Sequence, residues 1–110
     1  MEEIVTIVTA VDSRDVLERI GRHLVEKRIV ACIQIVGPVK SIYWWKGVME
    51  EAEEWLGIMK SRKSLYDAAE REIKALHPYE LPEIVALEIG QVLDPYREWV
   101  IRETEAALRP

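Results

Sequence analysis

The chain has 110 residues, 49% of them hydrophobic, which suits one compact domain spanning 1–110 and is too short for two. Its 15 Lys and Arg against 20 Asp and Glu leave a formal charge of −5; that excludes duplex nucleic acid or an anionic membrane surface as the main partner, since both reward a basic face. A single Cys excludes a disulfide framework or a thiolate cluster, and four Trp and four Tyr without any Phe put the aromatic weight on rings with polar handles.

Ile4 to Val11 is a β-branched run apolar on both faces and reads as an interior strand. Asp12-Ser13 then offers an N-cap for an amphipathic helix carrying Val16, Leu17, Ile20, Leu24 and Val25 on one face. Ile29 to Val36 is a second strand, interrupted at Gly37-Pro38 by a bend or bulge and resumed from Val39 to Trp45. Lys46-Gly47 marks a tight turn. The chain returns from Met49 through Glu50, Glu51, Glu53 and Glu54 into a third strand at Trp55–Met59. Ser64 is placed to cap a second helix with Leu65, Ala69, Ile73 and Leu76 on its apolar side, ended by His77-Pro78. Ile84 to Ile89 is a fourth strand, and Asp94-Pro95 opens a third helix, with Asp94 as its cap and Pro95 at its first position, bearing Tyr96, Trp99 and Val100.

The order β-α-β-β-α-β plus a C-terminal helix predicts an α+β, ferredoxin-like split βαβ sandwich with two helices on one sheet face and the first and third strands central. The hairpin is the unusual part. From Ile29 to Trp45 it reaches ~55 Å at ~3.3 Å per residue, about twice the ~26 Å of the first strand. Its far half overhangs the sheet and carries Tyr43, Trp44 and Trp45. Each such ring can bury ~150–250 Å²; at ~25 cal/mol/Å², covering two contributes several kcal/mol against a net domain stability of ~5–15 kcal/mol. A second copy of the chain is the simplest cover, so the arm predicts homo-oligomerisation.

Other uses of this scaffold are excluded by missing parts. An RNA-recognition surface needs exposed Phe on a basic background, a soft-metal chaperone needs Cys-x-x-Cys where this chain has Val11-Asp12-Ser13, and an acylphosphatase-type site needs a Gly-rich loop beside Arg14. No nucleotide loop, His-Glu-x-x-His helix or Ser/His/Asp order is present, so the chain reads as non-enzymatic. Met1-Glu2-Glu3 is acidic where a signal peptide is basic, and no apolar run approaches the ~18 residues of a membrane span, which predicts a cytoplasmic protein.

Three stretches carry a resemblance: Leu24-Val25-Glu26-Lys27-Arg28-Ile29-Val30-Ala31-Cys32-Ile33, Ser41-Ile42-Tyr43-Trp44-Trp45-Lys46-Gly47, and Ala75-Leu76-His77-Pro78-Tyr79-Glu80-Leu81-Pro82-Glu83-Ile84, with Tyr96 and Trp99 beyond them. Together they resemble the CutA divalent-cation-tolerance family over nearly the whole chain. The resemblance implies a ferredoxin-like protomer, a tight homotrimer like the PII signalling proteins, a cytoplasmic location and a link to copper and other divalent metal ions, with no organic cofactor.

Candidate residues follow. Cys32, between Ala31 and Ile33, is either a small buried hydrophobe or a soft ligand for copper. His77 is either a helix C-cap or the better metal ligand, although Leu76 stands where some family members carry another histidine. His23, beside Arg22 and Glu26, reads as solvated. Lys60, Tyr79 and Glu83 are expected to line an inter-subunit cleft with Trp45, which binds a small anionic effector in the PII-like alternative or is simply an interface hydrogen-bond network. A hydrolase using Glu83 with Tyr79 is the third reading. Tyr43, Trp44, Trp45 and Trp55 are the expected oligomer interface. The Glu50–Glu54 run alternates across a strand and so reads as a solvated edge instead of a hard-metal cage.

The absence of Asn, with only Gln34 and Gln91 as amides, predicts a thermophilic source. Scanning calorimetry is expected to give a melting midpoint above the mesophilic ~45–65 °C; a value inside that range overturns the expectation.

Overall fold

The computed structural model of the chain describes residues 2–108. In chain order it contains β1 (Ile4–Val11), α1 (Arg14–Glu26), β2 (Cys32–Trp45), β3 (Val48–Arg62), α2 (Tyr66–Leu76), β4 (Ile84–Glu88) and α3 (Asp94–Thr104), with short 3-10 turns at Lys63–Leu65 and Glu105–Leu108. The sheet is antiparallel throughout, in the order β2-β3-β1-β4. This is the expected split βαβ arrangement with β1 and β3 central.

Alternation along the strands sorts the sheet into two faces. Val5 and Ile7 of β1 and Met59 of β3 point to the helices, where they meet Ile20 and Leu24 of α1 and Ala69 and Ile73 of α2 in a closed core. The opposite face carries the β1–β3 pairs Thr6–Lys60, Val8–Ile58 and Ala10–Leu56. α3 packs against β3 and β1, with Val100 fully buried and the Tyr96 hydroxyl 3.9 Å from the Cys32 sulfur. The remainder of this face is uncovered, and Leu87 of β4 is 57% exposed.

Two turns are set by backbone geometry. Lys46 and Gly47 both have positive φ, 50° and 81°, the signature of a type I′ two-residue hairpin turn between Trp45 and Val48. At the end of α1, Arg28 adopts φ 61°. Its N–H donates to the Val25 carbonyl while Ile29 N–H reaches back to Leu24, a Schellman closure. The Arg28 guanidinium is tied to the Glu103 carboxylate and carbonyl near the end of α3.

That closure corrects the expected start of the second strand. The Ile29 and Val30 amides both bond to Leu24, so β2 begins at Cys32 instead of Ile29. The expected break at Gly37-Pro38 is a register shift between Val36 and Val39 inside one strand, with a cis peptide at Gly37–Pro38. Ser64 does not cap α2. Its hydroxyl donates to Glu2, and a 3-10 turn leads into the helix. Leu76 lies outside the core, exposed at the helix end, and Leu93, not Asp94, occupies the N-cap of α3.

Two substitutions test the core. Ile73→Ala should lower stability by ~2–5 kcal/mol in urea denaturation. Thr9 is fully buried and its Oγ1 has no hydrogen-bond partner among the described residues, so Thr9→Val, which keeps the shape and removes the hydroxyl, should stabilise by ~1–3 kcal/mol. A loss of stability in Thr9→Val would show that the hydroxyl is satisfied after all.

Candidate functional site

β3 pairs with β1 only from Trp55 to Arg62, so residues 48–54 and the facing half of β2 project beyond the body as an arm. The arm and the loop after α2 enclose a cleft of about 720 Å³. Its lining includes Tyr43, Trp44 and Trp45 from the arm, Tyr79, Glu80, Leu81 and Glu83 from the loop, and Ala10, Asp12 and Glu54.

His77 and Tyr79 build this corner. His77 ends α2 because Pro78 forces it into extended geometry, φ −77° and ψ 133°, and the turn directs its ring into the fold. The ring is 8% exposed. Its Nε2–H donates to the Ala10 carbonyl at 2.8 Å, and its Nδ1 accepts from the Tyr79 backbone N–H at 3.2 Å. The Tyr79 ring stands edge-on to the imidazole at 4.7 Å between centroids. Its hydroxyl donates to Glu54 Oε2 at 2.8 Å, which ties loop to arm. Burial first, then the Glu54 carboxylate, pushes the Tyr79 phenol well above its usual range. At the arm tip Lys46 lies 3.6 Å from Glu80 and 5.4 Å from the centroid of the Trp45 ring.

The structure separates several residues that the sequence groups together. Both nitrogens of His77 are engaged, so it has no free ligand atom in this conformation. Cys32 faces Lys60 across β2 and β3, and Lys60 in turn faces Thr6 of β1. Thr6 and Ala10 are about 13 Å apart along the strand at ~3.3 Å per residue, so one protomer does not bring Cys32 and His77 to a common ion. Among the described residues no three His, Cys, Asp or Glu side chains cluster as a metal site. Lys60 likewise belongs with Cys32 and Tyr96, not with Tyr79, Glu83 and Trp45, which do share the cleft. The cleft lining therefore contains four carboxylates, Asp12, Glu54, Glu80 and Glu83, and no basic residue.

The expected interface aromatics divide in the same way. Trp44 is 74% exposed, and Tyr43 is exposed too. Trp55 is half-buried and lies against its own hairpin, where a Cβ on Gly37 would lie 2.5 Å from its ring. His23 is not merely solvated, since its Nε2 pairs with Glu72 of α2 at 2.8 Å. His23 and then Lys27 hold the Glu72 carboxyl below its usual range. Glu54 is the residue that sequence reasoning misses. It stands in a run of glutamates that reads as solvated, yet it is 7% exposed.

Tyr79→Phe should remove the only hydrogen bond that the described residues make to the Glu54 carboxylate and destabilise by ~1–3 kcal/mol. Because the folded state holds the Tyr79 proton to higher pH than the unfolded chain, this contribution is complete below the ordinary phenol pKa of ~10 and falls as pH rises through and beyond it. Ultraviolet titration of the wild type against Tyr79→Phe checks the sign, and a difference signal titrating at or below pH ~10 would contradict it.

Comparison with known proteins bears on this arrangement. The family model described as CutA1 divalent ion tolerance protein matches residues 5–103. The divalent-cation tolerance protein CutA of Thermus thermophilus is 40% identical over 104 residues, covering 94% of this chain and 99% of that protein. The solved structure from that organism shares the fold with TM-score 0.87 and 39% identity, over 94% of this chain and 99% of that one. The Archaeoglobus fulgidus structure, described as a periplasmic divalent cation tolerance protein CutA, gives TM-score 0.87 at 34% identity, over 94% of this chain and 99% of that one. Mouse Protein CutA is 41% identical over 91 residues, 83% of this chain but 51% of that protein, so the chain spans about half the length of such mammalian relatives. No helix among the described residues is long and apolar enough to cross a membrane. The chain belongs to the CutA1 divalent ion tolerance family.

Proposed function

We propose that the protein acts as a homotrimeric, non-catalytic, cytoplasmic component of the response to divalent metal ions, copper foremost, by sensing or scaffolding instead of stoichiometric storage. The observation that carries the oligomer is the arm. Trp44 is 74% exposed and Met49 63%, and the uncovered sheet face adds Val36, Val85 and Leu87. An apolar surface of that kind on an overhanging hairpin is what a soluble chain covers with its own copies. The number three follows from the resemblance of the family to PII proteins, and the tolerance role from the names carried by its relatives.

The metal contact falls on Cys32, a half-buried thiol of the type copper prefers, and not on His77, whose nitrogens hold the loop to β1. The PII-like alternative loses ground to charge. A small anion entering the cleft would meet carboxylates without a lining cation, and Lys60 is not there to receive it.

Light scattering is expected to give a trimer at micromolar concentration, with Trp44→Glu shifting it toward smaller species; a wild-type monomer would remove the oligomer. Calorimetry with Cu²⁺ is expected to give a heat that survives in His77→Ala and is lost in Cys32→Ser, and equal weak heats in all three would remove direct metal contact.

A further inference from the structure

We infer that Arg62 and Arg97, at the end of the sheet remote from the cleft, bind a phosphate-type oxyanion between β3 and α3. Arg62 closes β3 and pairs with Ile4, whereas the cleft is built on Ala10 near the other end of β1. Ile4 and Ala10 lie ~20 Å apart along the strand at ~3.3 Å per residue. Both arginines stand against Glu2. Arg97 Nη1 donates to the Glu2 carbonyl at 2.9 Å. The Glu2 carboxyl is held below its usual range by the Ser64 hydroxyl foremost and by the Arg62 charge as well.

The Nε of Arg62 and the Nε of Arg97 are both shut off from solvent, and neither has a hydrogen-bond partner among the described residues. A buried donor left unpaired is unfavourable, and each one in a folded chain calls for a cause. The neighbouring carboxylates do not supply it. Glu2 Oε1 accepts from the Ser64 hydroxyl, Glu3 and Glu88 both pair with Lys63, and Glu103 pairs with Arg28. Acidic residues outnumber basic ones 20 to 15, so composition does not force two guanidiniums to go without an acid; their placement does.

The donors select the kind of anion. Arg97 uses only Nη1 on Glu2 and keeps the edge formed by Nε and Nη2, which can grip two oxygens of one anion. Two planar forks and two charges match a dianion with several oxygens better than a carboxylate, so a phosphoryl group is the fitting ligand, free or carried by a small molecule. Both side chains are half-buried and so keep access to solvent. The arm and the surface of Val36, Val85 and Leu87, which neighbouring copies are proposed to cover, contribute nothing to the site.

Calorimetry with inorganic phosphate and with AMP, at low salt on the assembled protein, tests the site. At least one of the two is expected to bind at millimolar concentration or below; tighter binding of AMP assigns the site to a phosphomonoester, and equal or tighter binding of phosphate assigns it to the free ion. Arg62→Gln and Arg97→Gln should each weaken binding by roughly tenfold or more, and Arg97→Gln, on the helix, decides the matter if Arg62→Gln fails to fold. Lys74→Gln removes the same charge from an exposed position on α2 and should leave the affinity unchanged. No heat with either probe at ten times millimolar concentration, unchanged affinity in the arginine variants, or an equal loss in Lys74→Gln overturns the inference. So does an assembled wild type that binds neither probe while Arg97→Gln dissociates it, because a carboxylate of another copy then fills the site. The site uses neither Cys32 nor the arm, so a monomer that binds phosphate sinks the oligomer reading and leaves this one standing.

Discussion

The structure depends on the point where β1 runs out. Val11 pairs with Trp55, and beyond that pair β3 has only β2 for a neighbour. A two-stranded ribbon is marginal by itself in water. The arm must therefore be held by something besides its own ladder. Within the protomer three contacts do this: Trp55 against Gly37 at the base, the Tyr79–Glu54 hydrogen bond at the middle, and Lys46 between Glu80 and the Trp45 ring at the tip. The second is the sheltered one, since Glu54 is 7% exposed, whereas Trp55 is only half-buried and Gly37 is exposed. The last is an exposed pair of the kind worth ~0–1 kcal/mol.

The loop that meets the arm is itself placed by His77. A helix ending before proline leaves its last carbonyls and the next amides in need of partners. Here an imidazole satisfies the Tyr79 amide with one nitrogen and the Ala10 carbonyl with the other. The Ala10 carbonyl lies on a central strand, so the position of the Tyr79 ring is inherited from the most rigid part of the sheet. The cleft is in this sense an extension of β1.

Much of this architecture is legible in the amino-acid sequence. Ile4–Val11 shows itself by β-branching on both faces, Lys46-Gly47 by the need for positive φ, and the overhang by the length of the hairpin relative to β1. What stays hidden depends on direction in space. Nothing local says that the His77 ring turns inward to β1, because a cap histidine and a ligand histidine share the same sequence setting. Nothing says that Lys60 and Glu54, both on β3, sit at opposite ends of the sheet's working surface, although a register count from Trp55 shows which one lies beyond β1. Glu54 is concealed by its neighbours: four glutamates in five residues read as solvent-facing until a tyrosine from another element covers one of them.

A cation-attracting field is not the same thing as a cation site. The chain carries a net −5, and its copies in an oligomer would add their fields, so divalent ions gather near the surface whatever the local geometry. That attraction is screened over about 8 Å at physiological ionic strength and distinguishes poorly between one divalent ion and another. Selectivity needs converging ligands, and the two residues of softest character, Cys32 and His77, are held apart by the length of β1. The cleft is the opposite case: its carboxylates are spread around a volume instead of focused on a point, and aromatic rings close one side.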